Sequence, residues 1–371
     1  MDRGRRIKIE DNWKLLLQFL PEGWEQKAKE LGAVSRQRKI ISAEILLRIL
    51  LIHLADSCSM RETVVRAKEA NLADISDVAL FKRLKSSSEW LRWISENLAG
   101  KVHGVAQKPS WLEKFNVRLV DASVISEPGS TGSDWRLHYS IELFGLGCDY
   151  FRITDPKVGE SFRNFPVKNG DLLIGDRGYG RIAGINYVIE NKGDFLVRIK
   201  NKALNFMKNE IEEFSLLENF RRLEYGDIGD YDVFYKSSGN KLEQLRLCAI
   251  KKSPEAAEFS KKSAIKEMTK KQRTLNKDTI ELHDYVFVIT SVKRDTLSAD
   301  EIFSLYKMRW QIELAFKRLK SILGLGHLPK IDPESSKAWL HGKMVVALLT
   351  NAIVDRGRSF SPWGYPQHQI L

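Results

Sequence analysis

Apolar residues recur along this chain in three textures. From Asp11 to about Leu98 the spacing is helical: Ser42 opens a run whose Ile45, Leu46, Ile49, Leu50 and Ile52 share a buried stripe, and His53 reads there as a satisfied core histidine. Ser59-Met60-Arg61-Glu62 is a Ser-x-x-Glu capping box and predicts a helix to about Ala70. After a break at Asn71, Ser76 or Asp77 caps a further helix through Leu80, Phe81 and Leu84, with Lys82, Arg83 and Lys85 on its exposed side. Helix, short turn and basic helix is the layout of a helix-turn-helix DNA reader, and also of many small bundles. Trp90, Leu91, Trp93 and Ile94 read as core.

Near Asn116 the period changes to that of strands. NVRLVDASVI (116–125), RLHYSIELF (136–144) and Cys148–Thr154 follow one another with short connections and predict an antiparallel meander. A buried strand then ends at Asp176, a helix runs from about Tyr179 to Glu190, and DFLVRIK (194–200) forms another strand. Residues 201–283 are more polar, with short strands at Tyr231–Tyr235 and Gln244–Ile250. A stretch from Lys251 to Arg273 holds eight bases against three acids, so the segment reads as an insertion. The strand YVFVITS (285–291) restores the core texture, and Ser298-Ala299-Asp300-Glu301 caps the next helix. Apolar helix resumes from about Ser335 to Val354, and SPWGYPQHQIL is loop. The order predicts an α/β protein, a mixed sheet flanked by helices.

The stretch Tyr306–Lys320, YKMRWQIELAFKRLK, reads as one helix. At about 100° per residue, Tyr306, Arg309, Glu313 and Lys320 fall within roughly 60° of one another. Leu305, Met308, Ile312, Phe316 and Leu319 make the neighbouring apolar face. Taken alone, Arg309 and Glu313 are a surface i,i+4 ion pair.

Charge and cysteine usage narrow the partners. Sixty Lys plus Arg against 48 Asp plus Glu give +12 over 371 residues, which makes a polyanion the first partner to consider. Cys58, Cys148 and Cys248 lack metal-site or disulfide spacing, which fits a reducing compartment. The basic start carries no apolar run, so it is not a secretory signal. Met344–Val354 is too short to span a bilayer. The expected setting is the cytoplasm, at the nucleoid when bound to DNA, with no membrane partner.

Two acids stand out against this background. Asp121 lies in phase with Val117 and Leu119 of a mostly apolar strand, and Asp176 ends a second apolar strand before Arg177-Gly178-Tyr179. Each also reads as an ordinary strand-end acid. If they converged with Glu313, three carboxylates would suit a hard cation such as Mg²⁺ or Mn²⁺.

Together these residues resemble the DDE transposases of bacterial insertion sequences, in the group (insertion-sequence family four) whose last acid lies in a Y-x2-R-x3-E-x6-K signature. Tyr306, Arg309, Glu313 and Lys320 match it at every spacing; DRGY at Asp176–Tyr179 and VDAS at Val120–Ser123 match the settings of the first two acids. The resemblance covers about Asn116 to Lys320. It implies an RNase H-like core with a β-rich insertion, dividing the chain into a helical DNA-binding region (1–114), core (115–200), basic insertion (201–283) and second core part with the Glu-bearing helix (284–371). It also implies that Asp121, Asp176 and Glu313 are catalytic and hold two Mg²⁺ ions, with Mn²⁺ able to substitute. Tyr306, Arg309 and Lys320 become contacts to transposon-end phosphates. Flanking hairpins are a known intermediate in this group, and relatives often lead the strand before the Glu-bearing helix with a Trp that stacks on a flipped base. Here Tyr285 stands in that region and either stacks or packs. The chain runs on only briefly past its last apolar helix, leaving little room for the C-terminal dimerisation segment of some relatives.

The expected activity is cut-and-paste DNA transposition, by metal-dependent strand cleavage and transfer. The expected partners are terminal inverted repeats, target DNA and a second copy of the chain in a homodimer. A non-catalytic, transposase-derived DNA-binding repressor accounts equally for the charge and the N-terminal helices but does not require the three acids. An RNase H-like nuclease acting on hybrids shares the metal site but leaves Tyr306, Arg309 and Lys320 without a role.

Overall fold

Short polar side chains set the helix starts in the N-terminal part of the chain. In the computed structural model, which describes residues 13–35, 40–100, 108–129, 134–199, 204–237, 241–329 and 331–359, residues 13–17 are helical and α1 (Trp24–Glu30) follows. The hydroxyls of Ser42, Ser59 and Ser76 each accept a hydrogen bond from the backbone three residues on, which starts α2 (Ala43–Ala55), α3 (Met60–Glu69) and α4 (Asp77–Ser86). Leu46, Leu47, Ile49 and Leu50 of α2 are fully buried. His53 is buried too, its Nδ1 2.6 Å from the Cys58 carbonyl, as a core histidine should be. Trp90 of α5 (Ser88–Leu98) donates from Nε1 to the Trp24 carbonyl at 2.8 Å, which satisfies its polar end in the core. The helical reading at Asp11 and the loop reading of 361–371 fall outside the described residues.

Eight strands follow: β1 (Asn116–Ile125), β2 (Trp135–Glu142), β3 (Cys148–Thr154), β4 (Asp171–Gly175), β5 (Asp194–Arg198), β6 (Ile228–Lys236), β7 (Leu242–Lys251) and β8 (Tyr285–Thr290). They form one mixed sheet in the order β3-β2-β1-β4-β5-β8-β7-β6. The pairs β1·β4 and β4·β5 are parallel, while β2·β3, β5·β8, β7·β8 and β6·β7 are antiparallel. β4 is buried along its whole length, and α6 (Ile182–Glu190) provides the crossover to β5. This is the mixed sheet flanked by helices expected of an RNase H-like core. Residues 201–283 contribute β6 and β7 to the same sheet and also carry α7 (Leu216–Phe220), α8 (Pro254–Lys270) and α9 (Lys277–Glu281). Among the described residues, no helix is long and apolar enough to cross a membrane.

By its contacts the chain divides into two units. One comprises the described residues of Met1–Gln107, with Ala122–Val158 and Glu313–Leu371; the other comprises Lys108–Asp121 and Gly159–Ile312. The chain therefore changes unit inside β1, just after Asp121, and inside a helix, just before Glu313.

The stretch read as one helix is two. α10 (Ala299–Lys307), opened by the reciprocal Ser298–Glu301 capping box, ends at Met308, and α11 (Trp310–Ser321) begins again at once. Across the junction the backbone donates three residues back instead of four, from Met308 to Leu305, Arg309 to Tyr306, Gln311 to Met308 and Ile312 to Arg309. Tyr306 thus lies on α10, Arg309 in the junction, and Glu313 and Lys320 on α11, so the four do not form one helical stripe. The apolar face is real: Leu305, Ile312, Phe316 and Leu319 are all buried. Phe316 packs on Tyr139 of β2 with ring centroids 5.7 Å apart. The final helix, α12 (Pro333–Ser359), is apolar where the sequence predicts it.

Candidate active site

The site is built first by strand register. In the parallel β1·β4 pair, Leu119 faces Ile174. Two residues further along each strand stand Asp121 and Asp176, level with one another on strands about 4.8 Å apart and on the same side, because paired residues of parallel strands share a face. Both are half-buried.

The turn after β4 holds Asp176 in place. Its Oδ1 accepts from the Gly178 amide at 2.7 Å. Tyr179, fully buried, anchors the turn between Phe162 and Phe165 at centroid distances of 5.2 and 6.2 Å. A Cβ at Gly175 would meet Tyr179 at 2.9 Å, and one at Gly180 would meet Ile199 Cγ2 at 2.9 Å and the Arg198 carbonyl at 3.1 Å. The glycines of the turn are therefore required by close packing.

Despite the helix break, Arg309 stays beside Tyr306, and Tyr306 feels the charge of Asp176. The Arg309 guanidinium lies over the Tyr306 ring, 6.0 Å from its centroid. Burial raises the Tyr306 hydroxyl above the usual tyrosine range; Arg309, Arg198 and Arg177 act against that rise and Asp176 adds to it. Of these neighbours, Arg177 and Arg198 escaped the sequence reading. The signal was available for Arg198, a charged residue closing an apolar strand, the same pattern that singled out Asp176.

Glu313 and Lys320 are exposed on α11, in the other unit. Among the described residues no three His, Cys, Asp or Glu side chains stand together as a metal-holding group. The register thus brings two of the three acids side by side. As oxygen donors, half-buried and adjacent, Asp121 and Asp176 suit a hard divalent cation.

Of three other candidates, Tyr285 takes the packing alternative, and Arg83 and Lys85 are placed differently from expectation. Tyr285 is 3% exposed and packs against Phe220 at 5.3 Å, so it is a core ring and presents no face for a base. Its position at the start of β8, with Phe220 of α7 packed on it, accounts for this burial. Arg83 and Lys85 are half-buried instead of exposed: Arg83 Nη1 donates to the Ala33 carbonyl at 3.3 Å, and Lys85 pairs with Asp332 at 2.9 Å. Of the three basic residues on α4, Lys82 is the exposed one.

The family described as "Transposase DDE domain" matches residues 155–349. The chain is 33% identical over 360 residues to the putative transposase InsL for insertion sequence element IS186A of Escherichia coli (strain K12), covering 95% of this chain and 96% of that protein. It is likewise 33% identical over 361 residues to the transposase for insertion sequence element IS421 of Escherichia coli, with the same coverage. A more distant relative, the transposase for insertion sequence element IS231B of Bacillus thuringiensis subsp. berliner, is 22% identical over 397 residues, 95% of this chain and 82% of its own length. The family match and the 33% identity over 95% of the chain fix the assignment: the chain belongs to the DDE transposases of bacterial insertion sequences.

Proposed function

We propose that the chain cuts DNA at the ends of its insertion sequence and joins the freed 3′ ends to target DNA, with Asp121, Asp176 and Glu313 as its catalytic acids. The observation that carries this reading is the register of β1 and β4 that sets Asp121 level with Asp176. In each step an oxygen of water or of a 3′-hydroxyl attacks a backbone phosphorus, a new P–O bond forms, and the bond to the departing 3′-oxygen breaks. Divalent cations held by the carboxylates, Mg²⁺ or in its place Mn²⁺ and two in number, would activate the attacking oxygen and stabilise the leaving one. Asp121 and Asp176 supply oxygen donors from a rigid sheet end, and Glu313 supplies the third carboxylate from α11. Arg309 holds the phosphate through its guanidinium fork, Tyr306 positions that fork and donates from its hydroxyl, and Lys320 adds a point charge for the flanking backbone.

Lys82 is the residue of α4 best placed to meet DNA. Two copies of the chain would act together on paired ends, in the cytoplasm where the chromosome lies. The test is a cleavage assay with purified protein, DNA carrying the element's end, and Mg²⁺. Nicks at the 3′ end of the element that disappear with chelator support the reading. Binding without cleavage under every metal condition would favour a DNA-binding repressor instead.

A further inference from the structure

Gly178, in the turn after β4, is a glycine that backbone conformation does not call for. It lies outside the positive-φ region that favours glycine. The space is taken instead: a Cβ built there would stand 2.1 Å from Glu160 Oε2 and 3.0 Å from Asp176 Oδ1. Two carboxylates therefore reach one spot, against the bare face of a glycine.

Glu160 is brought there on backbone held from both sides. It lies half-buried between β3 and β4. Before it, the Gly159 carbonyl accepts from Asn164 Nδ2 at 2.8 Å. After it, Ser161 Oγ accepts from the Arg163 amide at 3.3 Å, and Phe162, fully buried, packs on Tyr179 at 5.2 Å and on Phe195 at 6.3 Å. The same Tyr179 anchors the turn of Asp176, so one aromatic cluster fixes the backbone of both acids. Asp121, Glu160 and Asp176 all belong to one unit.

Carboxylates this close repel one another, and partial burial weakens the screening by water. A bound divalent cation turns that cost into affinity, because each further carboxylate adds to its attraction. Among the described residues no three acids stand together as a metal-holding group, so Glu160 belongs outside the direct ligands. Mg²⁺ keeps several waters when bound, and an outer carboxylate can accept hydrogen bonds from them.

We infer that Glu160 is a fourth acid of the active site, an outer carboxylate that strengthens cation binding at the Asp121–Asp176 pair. The inference rests on the function proposed above. It goes beyond it by bringing the segment between β3 and β4 into the site and by explaining why position 178 carries no side chain.

The test titrates the full chain with Mn²⁺, alone and bound to a duplex carrying the element's end, and follows the free ion by electron paramagnetic resonance. Glu160→Gln keeps the size of the side chain and removes its charge. It should bind Mn²⁺ about 10- to 100-fold more weakly than the wild type, the scale of loss for an outer partner of a metal site. Glu160→Asp, which keeps the charge, should lose less; an equal loss would trace the effect to shape and overturn the inference. Gly178→Ala, which fills the space that the Glu160 carboxylate occupies, should also weaken binding, and gives a second reading where Glu160→Gln folds poorly. In cleavage of end DNA, Glu160→Gln should need more Mg²⁺ by the same factor and recover the wild-type rate at saturation; no cleavage at any Mg²⁺ concentration would overturn its outer place. Wild-type Mn²⁺ affinity in folded Glu160→Gln or Gly178→Ala, with Asp176→Asn weakened, would overturn the inference and leave the proposed function standing. No Mn²⁺ binding by the wild type, alone or with the duplex, would remove that function and the inference with it.

Discussion

Arg118 of β1 and Asp171 of β4 form a buried ion pair, with 3.2 Å between Nη1 and Oδ2, at the root of the two strands that carry the paired acids. The Asp171 carboxylate also accepts from Asn116 Nδ2 at 2.9 Å and from the Lys168 amide at 3.1 Å, and Arg118 Nη1 donates to the Pro166 carbonyl at 2.6 Å. These bonds lock Asn116 opposite Asp171, and the register they impose brings Asp121 level with Asp176. Removing one member leaves the other charge buried without its partner. Asp171→Ala should therefore destabilise the protein by about 3–5 kcal/mol, read as a shift in the urea midpoint, and cleavage should fall even where the fold persists.

The turn after β4 has no room for side chains at its glycines. Gly180→Ala places a methyl against the Arg198 carbonyl and Ile199, and the turn can relieve that only by moving Asp176 or the end of β5. A cost of about 1–3 kcal/mol is expected from such overpacking. Cleavage measured on the folded fraction should drop further than the stability loss accounts for if Asp176 acts as proposed, since the displaced group lies next to it.

Acid should destabilise the fold through buried neutral histidines. His138, fully buried with Nε2 3.0 Å from Thr154 Oγ1, is lowered to about 4 by burial and then by Arg136 and Arg152. His341 is lowered to about 3 by burial and then by Arg92 and Lys337. In the unfolded chain both take up a proton near the ordinary histidine value of about 6.5. Below that value the unfolded state binds more protons than the folded one. Their contribution is thus complete above about pH 6.5 and is lost as the pH falls toward 4. Thermal midpoints at neutral and mildly acidic pH should show the decline, and His138→Gln should flatten it.

The burial of Tyr285 separates packing from base stacking. Tyr285→Leu keeps an apolar side chain under Phe220 but offers no ring face. It should cut end DNA at close to the wild-type rate, allowing for modest destabilisation. A loss of cleavage of tenfold or more in a folded Tyr285→Leu protein would show that the ring leaves its core position to meet a base.

How far the sequence reveals this architecture depends on the signal each element carries. The caps at Ser42, Ser59, Ser76 and Ser298 and the apolar runs of β1, β4 and β8 are local features, so the elements they mark are where the pattern predicts them. Asp121 and Asp176 are legible for the same reason, as charges in or at the end of apolar strands. The break between α10 and α11 is not, because Met308, Arg309 and Trp310 include no glycine or proline and suit a continuous helix as well as a turn. Nor are the internal partners of Arg83 and Lys85, since Ala33 and Asp332 are distant in sequence and only folding brings them close. The strands at Tyr231 and Gln244 are visible, but their joining of the main sheet through β8 is decided by long-range pairing.

The central claim is that Asp121, Asp176 and Glu313 act as one catalytic set, and the most direct measurement is cleavage of end DNA by Asp121→Asn, Asp176→Asn and Glu313→Gln, each near-isosteric and each checked for folding and DNA binding. The account predicts that all three bind the duplex as the wild type does and lose strand cleavage by at least about a thousandfold, the scale of loss when a catalytic group that acts as part of a set is removed. Cleavage within a few-fold of wild type by any one of them, in Mg²⁺ or Mn²⁺, would contradict it.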